Sequence, residues 1–207
     1  PGTGAQTVVM LLEDRSPGQL YLYVGDKQSS GSVVQRAGLQ GGRLYAVKVT
    51  QGGSNYGGGG VRVENAGAIS GRFELVDVSA HALASSDVLD RQSDLAAATE
   101  FARPEDGHWD PSNPRSFYFN VTGSLGQSAR LYRLRFDGTA WPAGGTIELV
   151  VDAATLIGKD GQTARCFDNL TVAPNGVVMV QEDGGGDAYL SKIWKVRPSN
   201  PPSMLQV

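Results

Sequence analysis

Short runs that alternate apolar and polar residues recur along the whole chain, each closed by Gly, Asn, Asp or Pro, and this period of two admits strands rather than helices. In Gln19–Val24, Leu20, Leu22 and Val24 fall on one face and Tyr21 and Tyr23 on the other, before Gly25-Asp26 ends the run. The same pattern covers residues 42–49, 71–78, 116–121, 129–136, 146–151, 169–172, 177–180 and 191–196. About ten strands are expected. The runs at 116–121 and 129–136, and those at 177–180 and 189–196, are joined by short polar segments, which predicts antiparallel meanders. Asn175-Gly176 is a hairpin signal of the kind that joins the inner strands of a propeller blade. Helical periodicity is confined to residues 94–101, with Asp94 as the expected N-cap and a stop before Pro104, and to a turn near 153–157. Strand, turn and lengthy loop repeat every 40 to 50 residues or so, which suits propeller blades better than a sandwich or barrel. The fold class is therefore all-β, an antiparallel β-propeller of about four blades with one or two short helical turns.

Composition narrows the function. Glycine at 28 of 207 residues is about twice ordinary usage, and charged residues make up only 19%, a profile that excludes coiled coils and helical bundles. A net charge of −3 leaves no basic surplus for a nucleic-acid backbone, so no nucleic-acid partner is expected. No apolar stretch is long enough for a membrane span. One cysteine, Cys166, excludes an internal disulfide, and two histidines, His81 and His108, make a Cys/His zinc site untenable; a metal here needs oxygen ligands. We expect residues 1–207 to form one incomplete propeller domain from a longer chain, because Pro1-Gly-Thr-Gly and Pro201-Pro202 resemble cuts and no seam pairs the two ends. Exposed blade edges then call for the missing blades or another protein chain as partner.

Two segments carry candidate chemistry. Arg103, Glu105, Asp106, His108 and Asp110 crowd into eight residues beside Pro104. That segment reads either as a loop presenting Glu105 to a hard cation and Arg103 to a phosphate or carboxylate, or as a solvated turn whose carboxylates cap amides. In the second, Asp168 and Asn169 precede one strand and Glu182 and Asp183 follow its hairpin partner, so antiparallel pairing brings both acidic groups to one end. Calcium favours such oxygen sets, and ordinary turn closure by Asp168 and Asp183-Gly184 is the alternative. Gly57–Gly60 lacks the Lys-Ser/Thr of a P-loop and reads as a flexible loop. Asn120-Val-Thr and Asn169-Leu-Thr match a glycosylation sequon that often arises by chance. Cys166 reads as a small buried hydrophobe.

The string Arg103-Pro-Glu-Asp-Gly-His-Trp-Asp-Pro111, followed by Phe167-Asp-Asn-Leu-Thr-Val-Ala-Pro-Asn-Gly176 and Gln181-Glu-Asp-Gly184, resembles the C-terminal half of the PhoX-type alkaline phosphatases and their propeller relatives. The resemblance implies a secreted or periplasmic six-bladed propeller that hydrolyses phosphomonoesters with calcium and iron. Carried onto this chain, it implies that Arg103 contacts the substrate phosphate, that Glu105 and Asp168 are metal ligands, and that Asn169 and Glu182 are further ligand candidates. The family's metal-binding cysteine and a further glutamate are expected in blades before residue 1, so this chain holds part of a site. The competing expectation is a calcium-stabilised propeller that has lost catalysis and serves as a structural or binding module. A lactonase-type propeller is a third reading, disfavoured by Arg103 beside Glu105.

Overall fold

The computed structural model describes residues 4–50, 64, 67–124, 126, 128–186, 188, 190–199 and 202–207; the glycine run 57–60 lies outside them. Among the described residues there are thirteen strands, twelve of which form three antiparallel meanders. The first blade is β1 (Gln6–Leu12), β2 (Gly18–Asp26), β3 (Arg43–Val49) and β4 (Gly71–Asp77). A two-residue strand β5 (Glu100–Phe101) pairs with the start of β2. The second blade is β6 (Pro104–Asp110), β7 (Asn113–Val121), β8 (Arg130–Phe136) and β9 (Gly145–Asp152), and the third is β10 (Phe167–Val172), β11 (Val178–Glu182), β12 (Ile193–Arg197) and β13 (Ser203–Gln206). The antiparallel propeller reading holds, with three four-stranded units among the described residues where about four were counted. The surplus length lies in the connection from β4 to β6, which carries a short 3-10 turn, helix α2 (Ser86–Leu95) and β5 instead of a blade; helix α1 (Val33–Arg36) is a single capped turn between β2 and β3.

Alternation explains how the blades stack. Leu20, Leu22 and Val24 of β2 join Tyr45, Val47 and Val49 of β3 in one core, shared with Phe117, Phe119 and Val121 of β7 and Tyr132, Leu134 and Phe136 of β8. The opposite parity of the second blade, Tyr118 and Leu131, enters a second core with Phe167, Leu170, Val172, Val180 and Trp194 of the third. Each fully buried Leu or Phe in these interfaces contributes about 1.5–3 kcal/mol. The opposite parity of the first blade, Tyr21, Leu44 and Ala46, is covered by Leu89 of α2. Beyond its interface with the second blade, the third keeps an open face on which Ile193 is 44% and Leu205 59% exposed.

The outer strands of the first two blades also pair, Gly71 with Ile147 and Phe73 with Gly145. A Cβ at Gly145 would stand 1.9 Å from the Arg135 carbonyl oxygen of β8 and one at Gly144 2.6 Å from the Phe73 carbonyl oxygen of β4, so this glycine pair lets β9 approach both neighbours. The Asn175-Gly176 turn joins β10 to β11 as expected, with Gly176 at φ +76°. Helix α2 departs from expectation. It starts after Ser85 and ends at Leu95, so Asp94 lies in its last turn, not at its N-cap. Ala97 at φ +59° stops it and Ala98 is fully buried; packing overrides the helix propensity of Ala96–Ala98. The turn near 153–157 is present as a 3-10 turn at Ala153–Thr155.

Under the first interface lies a buried ion pair. Glu64, with no exposed surface, accepts from Arg130 Nη1 and Tyr132 OH at 2.6 Å each and from the Ala102 amide at 3.3 Å. Burial and the Glu64 charge push the Tyr132 phenol far above its ordinary value. Removing Glu64 leaves buried Arg130 only its longer pair with Asp152, at 3.3 Å, so Glu64→Ala is expected to lower the unfolding free energy by about 3 kcal/mol in a denaturant titration. A loss under about 1 kcal/mol would mean that solvent reaches Arg130.

Candidate functional site

The charged segment read as a loop is a strand. Pro104–Asp110 forms β6, which packs between β1 and β10 as the first strand of the middle blade. Its polar side chains therefore divide between roles. Asp110 closes the β6–β7 turn by accepting from the Ser112 amide and hydroxyl at 2.9 and 2.7 Å. His108 Nδ1 lies 2.6 Å from the Trp109 carbonyl oxygen. Asp106 accepts from the Gly107 amide and from the Leu170 amide, each at 2.8 Å. Arg103 and Glu105 are left for chemistry.

Arg103 sits at the β5–β6 junction with φ +64°, a left-handed conformation that costs a non-glycine residue about 1–2 kcal/mol. Four backbone bonds hold it there: its amide donates to the Phe101 carbonyl, its carbonyl accepts from Thr122, and Ala102 accepts from Gly123 and donates to buried Glu64. The strain is held at a residue whose guanidinium faces solvent. Nη2 and Nε donate to one oxygen of Asp14, in the β1–β2 turn, at 2.9 and 3.0 Å.

Two residues on, Glu105 hydrogen-bonds the Asp168 carboxylate from the start of β10. Burial, then the bond and charge of Asp168, then the charges of Asp14 and Asp106, push the Glu105 carboxyl up to about 7. Two carboxylates this close repel unless a proton or a cation lies between them. The site thus takes residues from three blades: Asp14 from the first, Arg103 and Glu105 from the second, Asp168 from the third. Asn169 is exposed beside it and donates to Asp168 Oδ1 at 2.9 Å.

Glu182 pairs in register with Phe167, so both acidic groups do reach one end of the hairpin. Its carboxylate, 1% exposed, points into the third blade and accepts from the Arg165 and Lys192 amides and the Trp194 indole at 3.1, 2.8 and 2.9 Å. That geometry gives it a structural task and takes it away from Asp168. The parity was readable: Val178, Val180 and Glu182 share a face. Asp14 was missed because the apolar run Val8–Leu12 of β1 does not alternate, although Ser16-Pro17-Gly18 marks the turn that holds Asp14. Cys166 is buried, and burial pushes its thiol up, against any role as thiolate. Among the described residues no three His, Cys, Asp or Glu side chains stand close enough to hold a metal by themselves. The pair Glu105–Asp168 nonetheless fits a hard cation in kind, as two facing oxygen donors.

A propeller with an arginine and an acid pair where its blades converge is the class this geometry defines. The sequence model described as alkaline phosphatase PhoX matches residues 2–196, and the chain belongs to that family. Its structure superposes on that of Pseudomonas fluorescens PhoX in complex with vanadate, a transition state analogue, with a TM-score of 0.68 and 15% identity. The superposition covers 98% of this chain and 42% of that one, so the chain spans about two-fifths of that protein's length. No curated protein sequence matches it.

Two outcomes follow from the geometry. A carboxyl raised from 4.5 to about 7 binds its proton more tightly folded than unfolded, so its contribution to stability is full below the unfolded value and is lost as pH rises through the folded one. In chelated protein, wild type and Glu105→Gln are expected to melt together near pH 5, with the glutamine variant the more stable by about pH 8; parallel melting curves across that range would rule out the raised carboxyl. At position 103, glycine relieves the left-handed strain and a β-branched residue worsens it, so Arg103→Gly is expected to melt at or above wild type and Arg103→Val several degrees below. The reverse order would show an unstrained backbone.

Proposed function

We propose that this chain supplies the phosphate-binding and cation-holding wall of a phosphomonoester hydrolase that releases inorganic phosphate. The observation that carries the reading is Arg103, fixed in a strained backbone with its guanidinium outward, beside an acid pair drawn from two blades. The planar fork of Arg103 matches two oxygens of a phosphate, and Asp14 holds it extended until substrate oxygens replace that carboxylate. Glu105 and Asp168 are the residues that would hold a hard cation, calcium or iron, with the exposed Asn169 as a further oxygen donor. When bound, such cations supply neutralisation of charge on the phosphoryl oxygens. Glu182 is left out of this set, its oxygens being occupied by three donors.

The site is further proposed to be completed by more of the propeller, which would make residues 1–207 one segment of a larger domain in a secreted or periplasmic protein. The two-fifths coverage of the PhoX structure and the open face of the third blade, with Ile193 and Leu205 exposed, support that reading, the partner being further blades or another chain. Among the described residues no helix is long and apolar enough to cross a membrane.

The test is turnover of 4-nitrophenyl phosphate by the intact protein carrying this chain, loaded with calcium and iron and then chelated. Chelation, Glu105→Gln, Asp168→Asn and Arg103→Ala are each expected to cut kcat/KM by roughly 100-fold or more. Folded, metal-loaded protein without turnover would instead leave a non-catalytic calcium-stabilised module.

A further inference from the structure

We propose that Thr122, Asn120 and Asp106 form a polar latch between the second and third blades that sets the distance between Glu105 and Asp168, and that they are positioning residues for that pair. The inference deepens the cation-holding role assigned to the pair above and rests on that reading only for its functional consequence.

The latch is a product of strand parity. On β7 the odd residues Phe117, Phe119 and Val121 pack towards the first blade, and the even residue Tyr118 packs towards the third. The next two even residues are polar. Asn120 Nδ2 donates to the Asp168 carbonyl at 2.7 Å and Thr122 Oγ1 donates to the Phe167 carbonyl at 2.8 Å. Both side chains are buried, with 0% and 1% of their residue surface exposed. From β6, Asp106 Oδ2 accepts from the Leu170 amide at 2.8 Å. Three side chains of one blade thus grip the backbone of residues 167–170, on either side of Asp168.

That stretch of β10 is where its register with β11 slips. Phe167 faces Glu182 and Leu170 faces Val180, so two residues, Asp168 and Asn169, stand opposite Gln181 alone. A bulge of this kind frees backbone groups from the ladder and re-aims a side chain. Here the Leu170 amide goes to Asp106, the Asp168 carbonyl goes to Asn120, and the Asp168 side chain reaches Glu105. Asn120 Oδ1 is meanwhile buried without a hydrogen-bond partner. A leucine there would remove that cost only by leaving the Asp168 carbonyl without its donor, so the asparagine is kept for its grip on Asp168. Thr122 adds a second link, its amide donating to the Arg103 carbonyl at 2.9 Å, so one residue touches the backbone on both sides of the site.

The experiment uses Thr122→Val, which removes the hydroxyl at constant volume and charge, with Thr122→Ser as the conservative rescue. In chelated full chain, a double-mutant cycle on Glu105→Gln and Asp168→Asn measures the coupling of the pair by denaturation; a general loss of stability cancels from the cycle. That coupling is expected to fall by at least half in the Thr122→Val background and to return with serine. Terbium luminescence then reads cation affinity, expected to drop about tenfold or more in Thr122→Val. Coupling unchanged in Thr122→Val overturns the latch, whatever the cation does. Coupling that falls in protein to which terbium does not bind supports the latch and counts instead against the cation-holding role.

Discussion

The middle blade buries an apolar core on each of its two faces, and that one constraint organises everything around it. A sheet with water on one side has a polar face available for charged residues; on β7 and β8 little of one is left, at Arg115 and at Arg133 and Arg135, which pair with Glu148. Their odd and even residues fill two different cores, Phe119 and Leu134 in one, Tyr118 and Leu131 in the other. A shift of register by one residue would exchange the two sets and empty both interfaces, so the register is fixed from two sides at once. Rigidity of that order is what allows β6, at the end of this blade, to carry charge and bulges that a solitary hairpin would not hold. Glu64, clasping Arg130, Tyr132 and the Ala102 amide beneath the first interface, extends the same fixation to the residue just before Arg103.

The strands that alternate were legible and those that do not were missed, for reasons that can be stated for each. β2, β3, β7 and β8 declare themselves because half of each run is large and apolar. β6 contains proline, glycine and four ionisable residues in seven positions, and reads as a loop under any local rule. It is a strand because β7 supplies the ladder and because β1 and β10 flank it, which no window of sequence contains. Its bulges, between Pro104 and Gly107 and at Trp109–Asp110, absorb the residues that do not fit the pleat. Of the candidate site, Arg103 and Glu105 stand out in sequence by the charge density of residues 103–110, three of whose members prove to have structural partners, and Asp168 by its place before a strand. Asp14 was not found, since it belongs to the site only by the stacking of the first blade on the second. Glu182 is the opposite case: an acidic residue beside a turn whose strand parity turns it inward onto three donors.

The PhoX likeness fits this division of labour. At 15% identity the superposed chains share the arrangement of blades far more than their residues. Interfaces built on parity ask for apolar side chains of roughly suitable volume at alternate positions and tolerate many exchanges within that rule. A site gathered from three blades asks for more, because its parts are brought together by separate interfaces and any of them can drift.

The residues at the convergence point are, taken singly, unfavourable: an arginine in a left-handed backbone, a glutamate pushed up by burial and a neighbouring carboxylate, a buried asparagine with one amide end unbonded. Each departs from what a sequence selected for stability alone would place there, and departures of this kind concentrate where a protein acts. They are tolerable here because each is attached to a strand whose remaining residues are locked in a core: Arg103 through Phe101 and Ala102, Asn120 between Phe119 and Val121, Asp168 beside Phe167. The apolar neighbours are therefore as much a part of the site as the polar residues they flank. They hold in place a cluster of charge that, left to itself, would relax by turning its side chains to solvent and letting the carboxylates separate.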